Sequence, residues 1–112
     1  MNIDTLAPWK LNALAAEKIM EIKAEYFLPY HYVIDSEIKN TPDYSTNIQA
    51  AFEVVEAMIK KGYSFQLNGF PASLESGYIA TLFKDSVFET AAETPALAIC
   101  RCALECVMEG GE

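Results

Sequence analysis

Arginine and histidine each occur once in the 112-residue chain, as Arg101 and His31. A single imidazole excludes a multi-histidine metal site within one chain, and neither a metal nor a cofactor is expected. Lys and Arg together number 8 against 16 Asp and Glu, a net charge of -8 with an isoelectric point near 4.5. That balance lacks the broad basic footprint of a nucleic-acid or anionic-membrane binder, so no DNA, RNA or membrane partner is expected. The glycines are isolated turn or helix-end residues and form no glycine-rich phosphate loop. Apolar runs are broken by Lys or Glu well short of the roughly 20 residues a membrane span needs. No charged segment followed by an apolar one opens the sequence, so no signal peptide is read and a reducing cytoplasm is the expected compartment.

What is present is apolar. Hydrophobic residues make up 52% and charged residues 21%, enough to bury the core of a single domain spanning residues 1–112. Residues 1–9 read as an N-terminal arm whose Ile3, Leu6 and Trp9 need a surface to cover, and together with exposed strand aromatics they lead us to expect a homo-oligomer. Leu11, Leu14, Ala15, Ile19 and Ile22 recur at helical spacing and predict a first helix over residues 11–22. A strand is expected over residues 32–38. After the turn around Pro42, Ile48, Ala51, Phe52, Val55 and Ile59 predict a second helix, closed by Lys60-Lys61-Gly62, where two cations suit the negative end of the helix dipole. Residues 63–67, 77–84 and 87–90 alternate as strands, the middle one apolar on both faces and so read as central and covered on two sides. Thr94-Pro95 then caps a third helix whose Ile99, Cys100, Ala103, Leu104 and Val107 form its stripe up to Gly110-Gly111. The expected fold is α+β: an α-β-α sandwich with a small antiparallel sheet and helices packed on both faces.

Catalysis is not expected. A nucleophile needs a base in hydrogen-bond reach, and His31, between Tyr30 and Tyr32, lies in no Ser-His or Cys-His spacing. The carboxylate pairs Glu17/Glu21 and Glu53/Glu56 fall on helix faces predicted to be solvated. On a helix Cys100 and Cys102 project far apart, whereas Cys102 and Cys106 lie one turn apart. Two thiolates make at best half a zinc site, and the simpler role is that of small apolar core residues. Tyr44, Ser45, Thr46 and Asn47 form the best candidate site. Helix capping by Ser45 explains the segment, yet a helix start also offers free N–H groups and partial positive charge, flanked by hydroxyls and an aromatic ring able to stack on a base. Arg101 is the candidate bidentate clamp for a phosphate there, its alternative being a solvent-facing or salt-bridged side chain.

Taken in order, Leu11-Asn12-Ala13-Leu14-Ala15-Ala16-Glu17-Lys18-Ile19-Met20, Pro42 before Tyr44-Ser45-Thr46-Asn47-Ile48, and Ala98-Ile99-Cys100-Arg101-Cys102-Ala103-Leu104 resemble the phage ABA sandwich domain family, small phage-encoded proteins named for an α-β-α layering. Glu21-Ile22 stands where that family usually has Gly-Trp, Asn47 where it has an acidic residue, and Cys102 where it has a small one. The resemblance implies a phage origin and hence the cytoplasm of an infected bacterial host. With the helix start suited to a phosphate, it leads us to expect a non-catalytic counter-defence protein. Such a protein would sequester a nucleotide-derived immune signal, a cyclic nucleotide or a cyclic ADP-ribose-type ligand. The alternatives are an acidic inhibitor of a host defence protein and a structural or regulatory accessory protein of the phage.

Overall fold

The computed structural model describes residues 3–69 and 77–109, so the expected stop at Gly110-Gly111 lies outside the described residues. Helix α1 (Pro8–Leu14) starts on a proline in its first turn and buries Leu11, Asn12, Ala13 and Leu14. It continues as a π-helical segment, Ala15–Ile19, ended by the Met20 N–H on the Ala15 carbonyl and the Ile22 N–H on the Ala16 carbonyl, both at 2.9 Å. The first helix therefore begins three residues before its expected start, because Pro8 is preorganised for a helix's first turn and has no N–H to lose. Glu21 follows at φ 57°, the left-handed conformation for which glycine is the usual choice.

The described part of the N-terminal arm, from Ile3 on, is not free. Ile3–Thr5 form a short 3-10 turn, Ile3 is 5% exposed, and Leu6 packs against the main core. Ile3 and Leu6 thus find their cover on their own chain.

Helix α2 (Ile48–Lys60) ends as expected: the Gly62 N–H bonds the Ile59 carbonyl at 2.9 Å and the Tyr63 N–H the Met58 carbonyl at 3.1 Å, with Gly62 at φ 100°. That is the Schellman closure, which needs a residue free of the Cβ penalty. The buried arc of the helix is Ala50, Ala51, Val54, Val55 and Met58, rotated from the expected stripe so that Ile48, Phe52 and Ile59 stand exposed. Helix α3 (Pro95–Glu109) is capped as expected, the Leu97 N–H donating to Thr94 Oγ1 at 3.2 Å. Its Ala98, Ile99, Cys100, Cys102, Ala103, Leu104 and Cys106 are all fully buried.

The strands divide into two three-stranded antiparallel sheets instead of one. The first orders β1 (Tyr26–Leu28), β2 (His31–Ile34) and β3 (Glu37–Asn40) as a meander. The single strand expected over residues 32–38 is thus a hairpin, folded at Asp35-Ser36 with φ 51° and 65°, the double left-handed turn that two-residue hairpins favour. The second sheet orders β4 (Ser64–Gly69), β5 (Tyr78–Phe83) and β6 (Val87–Ala92), with β5 central. Its inner face, with Ala80, Leu82 and Ala92, joins the core beneath α3. Phe83, Val87 and Glu89 on the outer face are exposed. Within the α+β sandwich the helices therefore lie on one face of this sheet. Apolar residues on both faces of β5 mark a strand flanked by two others more than one roofed twice.

Candidate functional site

The segment 44–47 is built mainly into the fold. Tyr44 and Ser45 are 2% and 1% exposed. The Ser45 N–H and the Ser45 hydroxyl both donate to Asn12 Oδ1, each at 2.8 Å, and the Pro8 carbonyl lies 3.4 Å from the hydroxyl. One amide oxygen on α1 thus anchors the loop before α2. Burial, then Glu53, Tyr32 and Cys100, push the Tyr44 phenol up to about 12, so at neutral pH it is an uncharged core residue. The cap of α2 is Asn47 rather than Ser45: Asn47 is extended at φ -112°, ψ 121°, and its Oδ1 accepts the Ala50 N–H at 3.1 Å. Ser45 is two residues too early, and its hydroxyl is already engaged with Asn12. Thr46 and Asn47 are exposed.

Arg101 sits elsewhere. It lies half-buried on α3 and borders two open hollows between that helix and edge strand β6. One, of about 430 Å³, is lined by Ala91, Ala92, Glu93, Leu97 and Arg101. The other, of about 440 Å³, is lined by Glu89, Thr90, Ala91, Arg101 and Glu105. None of residues 44–47 lines either one. Leu97, Arg101 and Glu105 are spaced one helical turn apart, which was legible in sequence, but nothing local could pair them with β6. Thr90 Oγ1 donates to Glu105 Oε1 at 3.1 Å across the second hollow. The groove thus has an apolar stretch of Ala91, Ala92 and Leu97, a guanidinium at its centre, and carboxylates and a hydroxyl beyond.

Lys61 and Lys84 meet at the far end of α2. Lys61 Nζ pairs with Glu21 at 3.1 Å, and Lys84 Nζ donates to the Lys61 carbonyl at 3.1 Å and lies 5.6 Å from the Tyr63 ring centre. Lys18, Glu21 and Lys23 line a third hollow of about 330 Å³ with Ile22 and Phe27. The lysines here mainly close helix ends.

The cysteines behave as core residues. Cys102 donates to the Phe88 carbonyl at 3.2 Å. Burial pushes Cys100 up to about 12, with Arg101 opposing, and a hydrogen bond to Cys102 together with burial pushes Cys106 upward. His31 lies in β2, its Nδ1 3.3 Å from the Pro29 carbonyl. Among the described residues no group of three or more His, Cys, Asp or Glu side chains is arranged to hold a metal ion, and no helix is long and apolar enough to cross a membrane.

The phage ABA sandwich domain matches residues 13–104. A phage protein from Bacillus cereus ATCC 14579, known from a crystal structure at 2.0 Å, is similar in structure with a TM-score of 0.77 and 27% identity, over 93% of this chain and 95% of that one. No curated protein matches the sequence significantly.

Proposed function

Because this chain belongs to the phage ABA sandwich domain family, we propose that it acts in the infected host's cytoplasm as a counter-defence protein, binding a nucleotide-derived immune signal and holding it chemically unchanged. The observation that supports this reading is the groove of Arg101. The sole guanidinium borders both hollows, each within the size range of small-molecule sites. Guanidinium binds phosphate oxygens in pairs. The apolar Ala91, Ala92 and Leu97 offer a base a surface to lie on, while Glu89, Glu93 and Glu105 can accept from ribose hydroxyls or an exocyclic amine, as acidic residues do in dinucleotide sites. One cation among three carboxylates suits a ligand with many hydroxyls and few negative charges, such as a cyclic ADP-ribose isomer, better than a polyphosphate. The ligand site is thereby moved from residues 44–47, whose first two members are buried, to Arg101 and its neighbours on β6.

The test is titration calorimetry of the purified protein with a panel of cyclic nucleotides and cyclic ADP-ribose isomers, followed by recovery of the ligand on heating. One ligand should bind stoichiometrically, return intact, and lose at least tenfold in affinity with Arg101→Gln while the far-ultraviolet spectrum is unchanged. Silence across the panel, or an altered ligand, sinks the reading. A second reading, an acidic inhibitor of a host protein, is favoured by the net charge of -8. It predicts capture of a host protein that is lost at high salt.

A further inference from the structure

The hollows beside Arg101 are lined from both faces of one strand. Along β6, Thr90 and Ala92 are buried on the face towards α3, whereas Glu89 and Ala91 lie on the opposite, exposed face. Yet all four, with Glu93 beyond them, border the hollows shared with α3. Residues of both faces meet in one space only along a strand's edge, so the hollows run beside the outer edge of β6. Among the described residues no strand lies beyond it. Such an edge carries a row of backbone N–H and C=O groups that point away from β5. Little in β6 guards it. Its register with β5 runs unbroken from Phe83↔Val87 to Tyr78↔Ala92, without a bulge, and Val87–Ala92 holds neither Lys nor Pro.

Facing this edge, α3 presents Leu97, Arg101 and Glu105, one helical turn apart. The helix runs back along the strand, so that Leu97 lies towards Ala92 and Glu93, Arg101 beside Ala91, and Glu105 towards Glu89 and Thr90. Helical turns repeat about every 5.4 Å and alternate strand residues about every 6.7 Å. An extended chain between β6 and α3 therefore sets every second residue opposite Leu97, Arg101 and Glu105 in turn.

We propose that β6 and α3 together take an extended segment of a partner protein, added to the sheet as a further strand and read by its alternate side chains. Charge complementarity specifies the segment. Running antiparallel to β6, the better-bonded direction, it follows the sense of α3 and meets Leu97, then Arg101, then Glu105. It thus carries an apolar, an acidic and a basic side chain at every second position, with Glu89 also near the base. A guanidinium and a carboxylate have more donors and acceptors than the Thr90–Glu105 bond uses. The proposal does not rest on the ligand reading. It gives the acidic-inhibitor reading a surface, and a nucleotide at Arg101 would compete with the segment.

Fluorescence anisotropy of labelled seven-residue peptides mixed with the full chain tests it. One peptide has Val, Glu and Lys at its second, fourth and sixth positions with Thr between them, and its control has the Glu and Lys exchanged. The first should bind at least tenfold more tightly than the control, and Arg101→Gln should bring the two level. On the unaltered chain, N-methylation of one alternate set of peptide residues should abolish binding and that of the other set should leave it, because only one set bonds β6. Absence of binding by either peptide at millimolar concentration overturns the proposal. So do equal affinities, a preference that survives Arg101→Gln, or tolerance of both methylated sets. A nucleotide that binds where the first peptide does not leaves the ligand reading standing and sinks this one; the reverse result supports this one alone.

Discussion

The two sheets have the same strand number and the same antiparallel meander order, yet their relation to the core is opposite. The second, with six-residue strands, lies against α3 and gives the core Ala80, Leu82 and Ala92. The first places only Phe27 against that core, and its one buried strand residue, Val33, lies on the other face. What separates them is available cover: α3 is apolar nearly all round and lies on the second sheet, whereas among the described residues of β1–β3 only Phe27 packs against the main core. Strand pairing alone therefore does not make a sheet part of a core; a facing apolar element does.

The largest effect should come from truncation inside the covered sheet. Leu82→Ala, at a residue 1% exposed, should cost about 2–5 kcal/mol in urea unfolding. Ile38→Ala in the first sheet, at a residue 70% exposed, should stay within about 0.5 kcal/mol. Equal losses would break the comparison.

Alkaline titration should also report on the covered core. Cys100 has an ordinary value of 9.0 and Tyr44 of 10.0, and burial pushes both up to about 12. Between about pH 9 and 12 the folded chain therefore binds more protons than the unfolded one. Stability from these groups is present in full below pH 9 and falls as pH rises towards 12. Urea midpoints measured across that window should drop less steeply for Tyr44→Phe than for the parent chain, and an identical slope would remove Tyr44 from the account.

Next in size are the links that hold the loop before α2. Asn12→Ala leaves the buried Ser45 N–H and hydroxyl without their acceptor and should cost about 1–3 kcal/mol. Ser45→Ala removes only the hydroxyl and should cost less. If residues 44–47 are structural and the groove of Arg101 is the site, neither change alters ligand affinity. A tenfold loss with Ser45→Ala in a folded protein would return the site to the start of α2. Smaller than the loss of Asn12 is that of Asn47→Ala, which deletes the observed cap and should cost about 1 kcal/mol by thermal unfolding.

Much of the chain was legible because its signals are local. Thr94-Pro95 and Lys60-Lys61-Gly62 act within one helical turn of themselves, and the helix ends fall where they indicate. The hairpin at Asp35-Ser36 was hidden because its left-handed turn lacks the glycine or asparagine that usually announces one. Ser45 passed for a cap because hydroxyl residues before an apolar run look alike, and its partner Asn12 lies 33 residues away.

The sequence by itself determined the α+β class, the extent and closure of α2, the N-terminal cap of α3 and the resemblance to a phage family, since periodicity and capping depend on neighbours a few residues apart. Only the tertiary structure decided that the strands form two sheets, that Ser45 anchors to α1 and Asn47 caps α2 while Arg101 faces β6, and that the first sheet contributes little to the core. Spacing along a chain says which residues share a face. It does not say what that face meets, because the free energy of cover comes from elements distant in sequence.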